Sequence, residues 1–165
     1  MTIVLDGAKG AGKSSVSKIL MGRLDNAIFL SLDNERHALK YPNGNRKELN
    51  RQAFENILEK AKEVLRDKAN IIIDCGLTEE RSLKLDLLAL DTNTKLYKFF
   101  LKAHHDTLLD RVRLRDATKG IMSDRKRFEE TYDLTTSKDL KNFIIIETDE
   151  LSIESIAKKI LDIVV

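Results

Sequence analysis

The chain has 165 residues, 42% of them apolar, enough to bury a core without metals or disulfides. Its 29 Lys and Arg nearly balance 27 Asp and Glu, and the net charge of +2 excludes a global electrostatic attraction to nucleic acid or to an anionic membrane. A lone cysteine, Cys75, excludes an internal disulfide, and no apolar run approaches the roughly 20 residues that span a bilayer. No secretory signal opens the sequence, so a cytoplasmic protein with no membrane association is expected, one domain over residues 1–165 and a monomer or homodimer.

Taken in chain order, residues 2–6 form a short apolar run that reads as a buried strand, and a helix is expected over 13–24. A second strand is expected over 27–32 and a long helix over 46–68, where Leu49, Ala53, Ile57, Ala61 and Val64 recur at helical spacing as one buried stripe. Strand 70–74, helix 79–90, strand 95–101, helix 104–116, strand 142–147 and helix 152–165 follow. The strands are nearly continuous in apolar character, the pattern of parallel strands covered on both faces, and their alternation with helices predicts a doubly wound α/β domain. Charge rises and the strand signal vanishes around 40–46 and 111–132, which are candidate mobile segments over a site.

Between the first strand and first helix stand Gly7, Ala8, Lys9, Gly10, Ala11, Gly12, Lys13 and Ser14, a full G-x-x-x-x-G-K-S match followed by Ser15. Three of the seven glycines fall here, where backbone N–H groups can converge on phosphate oxygens at a helix N-terminus. Lys13 is placed to supply a point charge to the β- and γ-phosphates, and Ser14 to ligate Mg²⁺. The bland alternative is a tight turn with an exposed lysine.

At the end of the second strand, Asp33 stands at the edge where ligands of open α/β sheets bind, three residues before Arg36. Asp33 is the candidate general base for an acceptor hydroxyl and Arg36 a candidate contact for an anionic part of that acceptor. Asp33 as a helix N-cap and Arg36 as a surface residue is the alternative. Asp74 closes a third apolar strand, the position of the carboxylate that holds Mg²⁺ in phosphate-loop enzymes, with a turn-closing role as the alternative. Cys75 is expected to be a small buried residue. Arg111 and Arg115, four apart on one helix face, are candidates for neutralising a triphosphate from a helical lid over 111–132, against a reading in which Asp106, Asp110 and Asp116 pair with the arginines. Adjacent His104 and His105 point apart on a helix and are expected to be structural, and residues 41–46 read as a turn-rich recognition loop.

These residues resemble the small P-loop kinases that include polynucleotide kinase, zeta-toxin and adenylylsulfate kinase. The resemblance rests on the loop from Gly7 to Ser15, on Ser31, Asp33 and Arg36, on Asp74, and on Arg111 with Arg115. It implies a five-stranded sheet ordered 2-3-1-4-5, Asp33 as general base, Arg36 on an acceptor phosphate, and a lid arginine in catalysis. The run from Asp33 to Leu39 also looks like the D-N-x-R-H-x-L segment of adenylylsulfate kinases, which carry an aspartate where this chain has Ser31. The expectation is an enzyme using ATP and Mg²⁺ to phosphorylate a hydroxyl of a small, nucleotide-like or otherwise anionic acceptor. A polynucleotide 5′-hydroxyl kinase is the alternative, long nucleic acid being less favoured by the charge balance. A nucleotide-hydrolysing switch and a kinase-fold protein without chemistry are the rivals from other classes, although no N-K-x-D motif follows a later strand.

Overall fold

A computed structural model describes residues 1–39 and 45–165, so most of the expected recognition loop, 41–44, lies outside the described residues. The elements run β1 (Thr2–Asp6), α1 (Lys13–Arg23), β2 (Ala27–Ser31), α2 (Leu32–Ala38), α3 (Arg46–Arg66), β3 (Asn70–Asp74), α4 (Glu79–Asp91), β4 (Leu96–Lys102), α5 (His105–Thr118), α6 (Arg125–Thr136), β5 (Ile144–Glu147) and α7 (Ile153–Val164). The five strands form one parallel sheet in the order β2-β3-β1-β4-β5. The strand order reverses beside β1, whose carboxyl end therefore opens into the crevice where such sheets bind ligands.

Strand geometry divides the apolar residues between two faces. On β1, Ile3 and Leu5 enter a core with α1, α5 and α7, while Val4 enters a second core under α3 and α4. Ile72 of β3 joins the first core, and Ile71 and Ile73 the second. The central strands are thus covered on both faces, as their continuous apolar character predicts. The edge strands are not: Ile28 on β2 and Ile145 on β5 are exposed, because no second neighbour strand flanks them and the helices leave part of each face open.

The expected stripe on α3 is buried at Ala53, Ile57 and Ala61. Two helices depart from the sequence reading. Leu32 begins α2 instead of ending β2, since Ser31 is the last extended residue. The expected helical lid over 111–132 divides between α5 and a separate helix, α6, which runs on to Thr136 and is capped by Asp124, whose carboxylate accepts from the Arg127 N–H at 3.0 Å. Apolar spacing gave little warning of α6, because its seam is little more than Phe128 and Tyr132.

His105 fastens α5 to α6. Its Nε2 lies 2.7 Å from Glu129 Oε2, and its ring meets Phe128 and Tyr132 edge-on at 5.4 and 4.9 Å. The structural role expected of this residue is therefore specific. Its pKa is raised above the ordinary 6.5, first by Asp106 and then by Glu129. The protonated ring stabilises the fold fully below 6.5, and that contribution is lost as pH rises through the higher folded value. The melting temperature is expected to fall as pH is raised from 6.5, with a flatter slope in His105→Asn; identical slopes in a pH series of thermal melts would remove the role. Ile57→Ala, at a fully enclosed site, is expected to cost about 2–5 kcal/mol, read as a lower urea midpoint at constant m.

Candidate active site

Strand β1 ends at Asp6 and the chain turns at once into the glycine loop. Gly7 and Gly10 have φ of 142° and 92°, in the region that side chains rarely adopt. Space is equally decisive: a Cβ on Gly7 would overlap the Leu101 carbonyl, and one on Gly10 would stand 2.7 Å from the Leu108 carbonyl. Ala8 and Ala11 are buried in the core below, so the loop offers its backbone upward and its small side chains downward. Lys13 Nζ donates to the Gly7 and Ala8 carbonyls at 2.7 and 3.2 Å, which holds the ammonium over the loop.

Because β3 neighbours β1, Asp74 stands beside the loop and its Oδ2 accepts from the Ser14 hydroxyl at 2.7 Å. Burial pushes the Asp74 carboxyl above its ordinary range, opposed by the Lys13 charge and the Ser14 hydrogen bond. A hydroxyl and a carboxylate side by side next to a phosphate loop are hard oxygen donors of the kind Mg²⁺ takes, with water and phosphate completing the shell. The neighbouring thiol is inert: burial raises the Cys75 pKa to about 12.

One cavity of about 780 Å³ joins the loop to the other expected site residues. Lys9, Lys13, Ser14, Ser15 and Asp74 line this cavity, and Asp33, Arg36, Arg111 and Arg115 share its walls. Asp33 is exposed on the first turn of α2 and accepts from Arg36 Nη2 at 2.6 Å. It is not the N-cap, which is Ser31. Arg36 is largely enclosed and also donates from Nη1 to Asn50 Oδ1 at 3.0 Å. The two lid arginines are separately anchored. Arg111 donates to the Thr148 carbonyl at 2.6 Å, at the end of β5, whereas Arg115 donates to Asp116 Oδ1 at 2.7 Å. The expected pairing of arginines with nearby aspartates thus holds for Arg115, and for Arg113 with Asp110 at 3.6 Å, but not for Arg111.

Sequence reasoning missed several residues that organise this site. Asp6, 1% exposed, accepts from Gly7 N at 2.7 Å, Leu77 N at 3.1 Å and Lys138 Nζ at 2.7 Å. It therefore ties the first loop residue to the segment after β3 and to the segment after α6. Its place immediately before the loop was a usable signal, whereas nothing local marks Lys138. Asp116 is a second hub, bonded to Arg115 and to the Ser123 hydroxyl and 3.9 Å from Lys9; the Arg115 bond, against the cost of burial, holds its pKa low. Arg46, at the end of the expected recognition loop, and Arg127, within the expected lid, also face the cavity.

Residues 3–132 match the sequence model of the AAA domain family. The chain belongs to that family. Solved structures with the same architecture include the tunicamycin resistance protein of Deinococcus radiodurans, 19% identical with a TM-score of 0.72 over 99% of this chain and 94% of that one. The Mycobacterium tuberculosis APS kinase CysC, determined in complex with AMPPNP and APS, is 19% identical with a TM-score of 0.67 over 98% and 95% of the two chains. A sugar kinase from Janibacter sp. HTCC2649 is 11% identical with a TM-score of 0.67 over 98% and 92%. No curated protein sequence matches the chain. This AAA-domain protein thus has the P-loop kinase fold, with the sheet order that its sequence resemblance implies.

The Asp6 hub yields a stability prediction for this family member. Lys138→Met leaves the buried Asp6 carboxylate without its counter-charge and is expected to cost about 3 kcal/mol. Adding Asp6→Asn to Lys138→Met is expected to cost less than the two single losses combined; additive losses in a denaturation cycle would show the pair to be uncoupled.

Proposed function

We propose that this protein is a kinase that transfers the γ-phosphoryl group of ATP to a hydroxyl of a small acceptor. The observation that carries this reading is the single cavity in whose wall the phosphate loop and the Asp33–Arg36 pair both stand. A hydrolytic switch has no use for a carboxylate and an arginine facing the loop across open space. An acceptor kinase needs both. The APS kinase that shares this fold was determined with AMPPNP and APS together, which supports a two-substrate reading of the cavity.

In the proposed reaction, the acceptor oxygen attacks the γ-phosphorus while the bond from that phosphorus to the β,γ-bridging oxygen breaks. The bridging oxygen keeps the electron pair and leaves with ADP. The acceptor proton passes to Asp33, which lies at the head of α2 and is turned toward the cavity. The loop N–H groups and Lys13 hold the triphosphate, and Gly7, Gly10 and Gly12 let the backbone come close to it. Ser14 and Asp74 would hold Mg²⁺, which supplies neutralising charge to the β- and γ-oxygens. Arg111 and Arg115, on α5, offset further charge, and α5 with α6 serves as the lid over the nucleotide.

The test is transfer of labelled γ-phosphate from Mg·ATP to a panel of nucleosides, nucleotides, adenylylsulfate, 5′-hydroxyl oligonucleotides and hydroxylated metabolites. One labelled acceptor class is expected, with kcat lowered about 10²–10⁴-fold in Asp33→Asn. Lys13→Ala is expected to weaken nucleotide binding. Unchanged turnover in Asp33→Asn removes the base assignment, and ATP hydrolysis that labels no acceptor in the panel removes the kinase reading.

A further inference from the structure

Two lysines belong to the phosphate loop, Lys9 and Lys13, and only one of them is held. Lys13 Nζ donates to the Gly7 and Ala8 carbonyls. Lys9 donates no hydrogen bond among the described residues; its one ion-pair contact there is to Asp116 Oδ2, at 3.9 Å, beyond hydrogen-bond distance. The Asp116 carboxylate is already filled. Its Oδ1 accepts from Arg115 Nε and Nη2 at 3.0 and 2.7 Å, and its Oδ2 accepts from the Ser123 hydroxyl at 3.1 Å. Lys9 therefore shares the field of a carboxylate committed to other donors. Its ammonium can be drawn away without leaving a buried acceptor unsatisfied.

The place of Lys9 in the loop says what would draw it. The lysine of the loop motif, here Lys13, reaches the β- and γ-phosphates. Its ammonium rests at Gly7 and Ala8, so this is the end of the loop that a γ-phosphate meets, and Lys9 is the next residue. Gly10 packs against the Leu108 carbonyl, so Lys9 leaves the backbone where the loop adjoins α5, and its side chain lines the cavity. A diphosphate brings nothing to this end of the loop. A triphosphate brings oxygens with unfilled acceptor sites and added negative charge, better partners for an ammonium than a satisfied carboxylate at 3.9 Å.

We propose that Lys9 is a γ-phosphate sensor. In the absence of a γ-phosphate its ammonium stands beside Asp116 on α5, and it moves onto the γ-phosphate when a triphosphate binds. Asp116 is a positioning residue in this exchange, since it touches Lys9 and not the nucleotide. The inference rests on the kinase reading and deepens it, because it assigns to one side chain the distinction between substrate and product nucleotide. Once the γ-phosphoryl group has passed to the acceptor, Lys9 returns to Asp116, and ADP is left without a contact that ATP had.

The experiment titrates the full chain with Mg·AMPPNP and with Mg·ADP by calorimetry, which requires no acceptor. Lys9→Met is expected to weaken AMPPNP about ten- to a hundredfold, the worth of one hydrogen bond between charged groups, while ADP changes by less than about twofold. Lys9→Arg should recover most of the AMPPNP affinity. Asp116→Asn is expected to raise the ratio of AMPPNP to ADP affinity, and that rise should shrink when Lys9 is already Met, because no ammonium remains to compete for. Lys9 is part-exposed, and thermal melts of every variant check that the fold is retained. Equal losses for AMPPNP and ADP in Lys9→Met overturn the proposal by making Lys9 a general phosphate contact. No loss for either also overturns it, by leaving Lys9 a structural tie to Asp116. Additive effects in the Asp116 cycle remove the exchange between the two residues. A parent chain that binds neither nucleotide overturns both readings, whereas one that prefers AMPPNP through Lys9 yet labels no acceptor keeps the sensor and loses the kinase.

Discussion

The contact on which the site depends is a backbone against a backbone. Where β1 gives way to α1, Gly7 lies so close to the Leu101 carbonyl, and Gly10 so close to the Leu108 carbonyl, that no side chain fits between them. β4 and the start of α5 therefore pack directly beneath the loop. This close approach sets the direction in which the loop N–H groups face, and it places α5, with Arg111 and Arg115, alongside the same cavity. Any side chain at either glycine would push the loop and α5 apart and misalign both.

Polar hubs then connect the loop to distant segments. Asp6 takes three donors from three parts of the chain, and Asp116 joins α5, the connection to α6 and Lys9 of the loop. Buried carboxylates are expensive unless every acceptor is satisfied, and a satisfied one accepts few alternative arrangements. Asp6 and Asp116 thus restrict how α6 and its flanking segments sit over the loop. His105 with Glu129 adds a third fastening between α5 and α6, one that weakens as the ring loses its proton. The region over the cavity is held more by charge and hydrogen bonds than by apolar packing, since Phe128 is the only fully enclosed apolar side chain of α6.

The division of the cavity follows from the same construction. At the loop end, cations are bonded to carbonyls or to Asp116, so their charge is directed by the backbone. At the α2 end, Arg36 is oriented by Asn50 and Asp33 while Arg46 and Arg127 converge from separate helices. Under the proposed kinase function, such a site separates the holding of a nucleotide from the choice of an acceptor. The first would use an element continuous in sequence, and the second residues from α2, α3 and α6 that line one cavity.

That contrast also explains what could be read from the chain. The sequence by itself determined the elements whose cause is local: the glycine loop between strand and helix, the apolar strands, the periodic stripe of α3, and the carboxylates just beyond β2 and at the end of β3. Apolar continuity along five runs also implied a parallel sheet, and the family resemblance its order, which together put Asp74 beside Ser14. Only the tertiary structure decided the openness of the edge strands, the separate anchoring of Arg111 and Arg115, and the partnership of Asp6 with Lys138, 132 residues apart. Helix α6 and the convergence of Arg46 with Arg127 belong to the same group. Periodicity and motif spacing report forces that act along a few turns of chain, whereas ion pairs between distant segments depend on where packing has already brought them, and a charged residue carries no local sign of the partner it will meet.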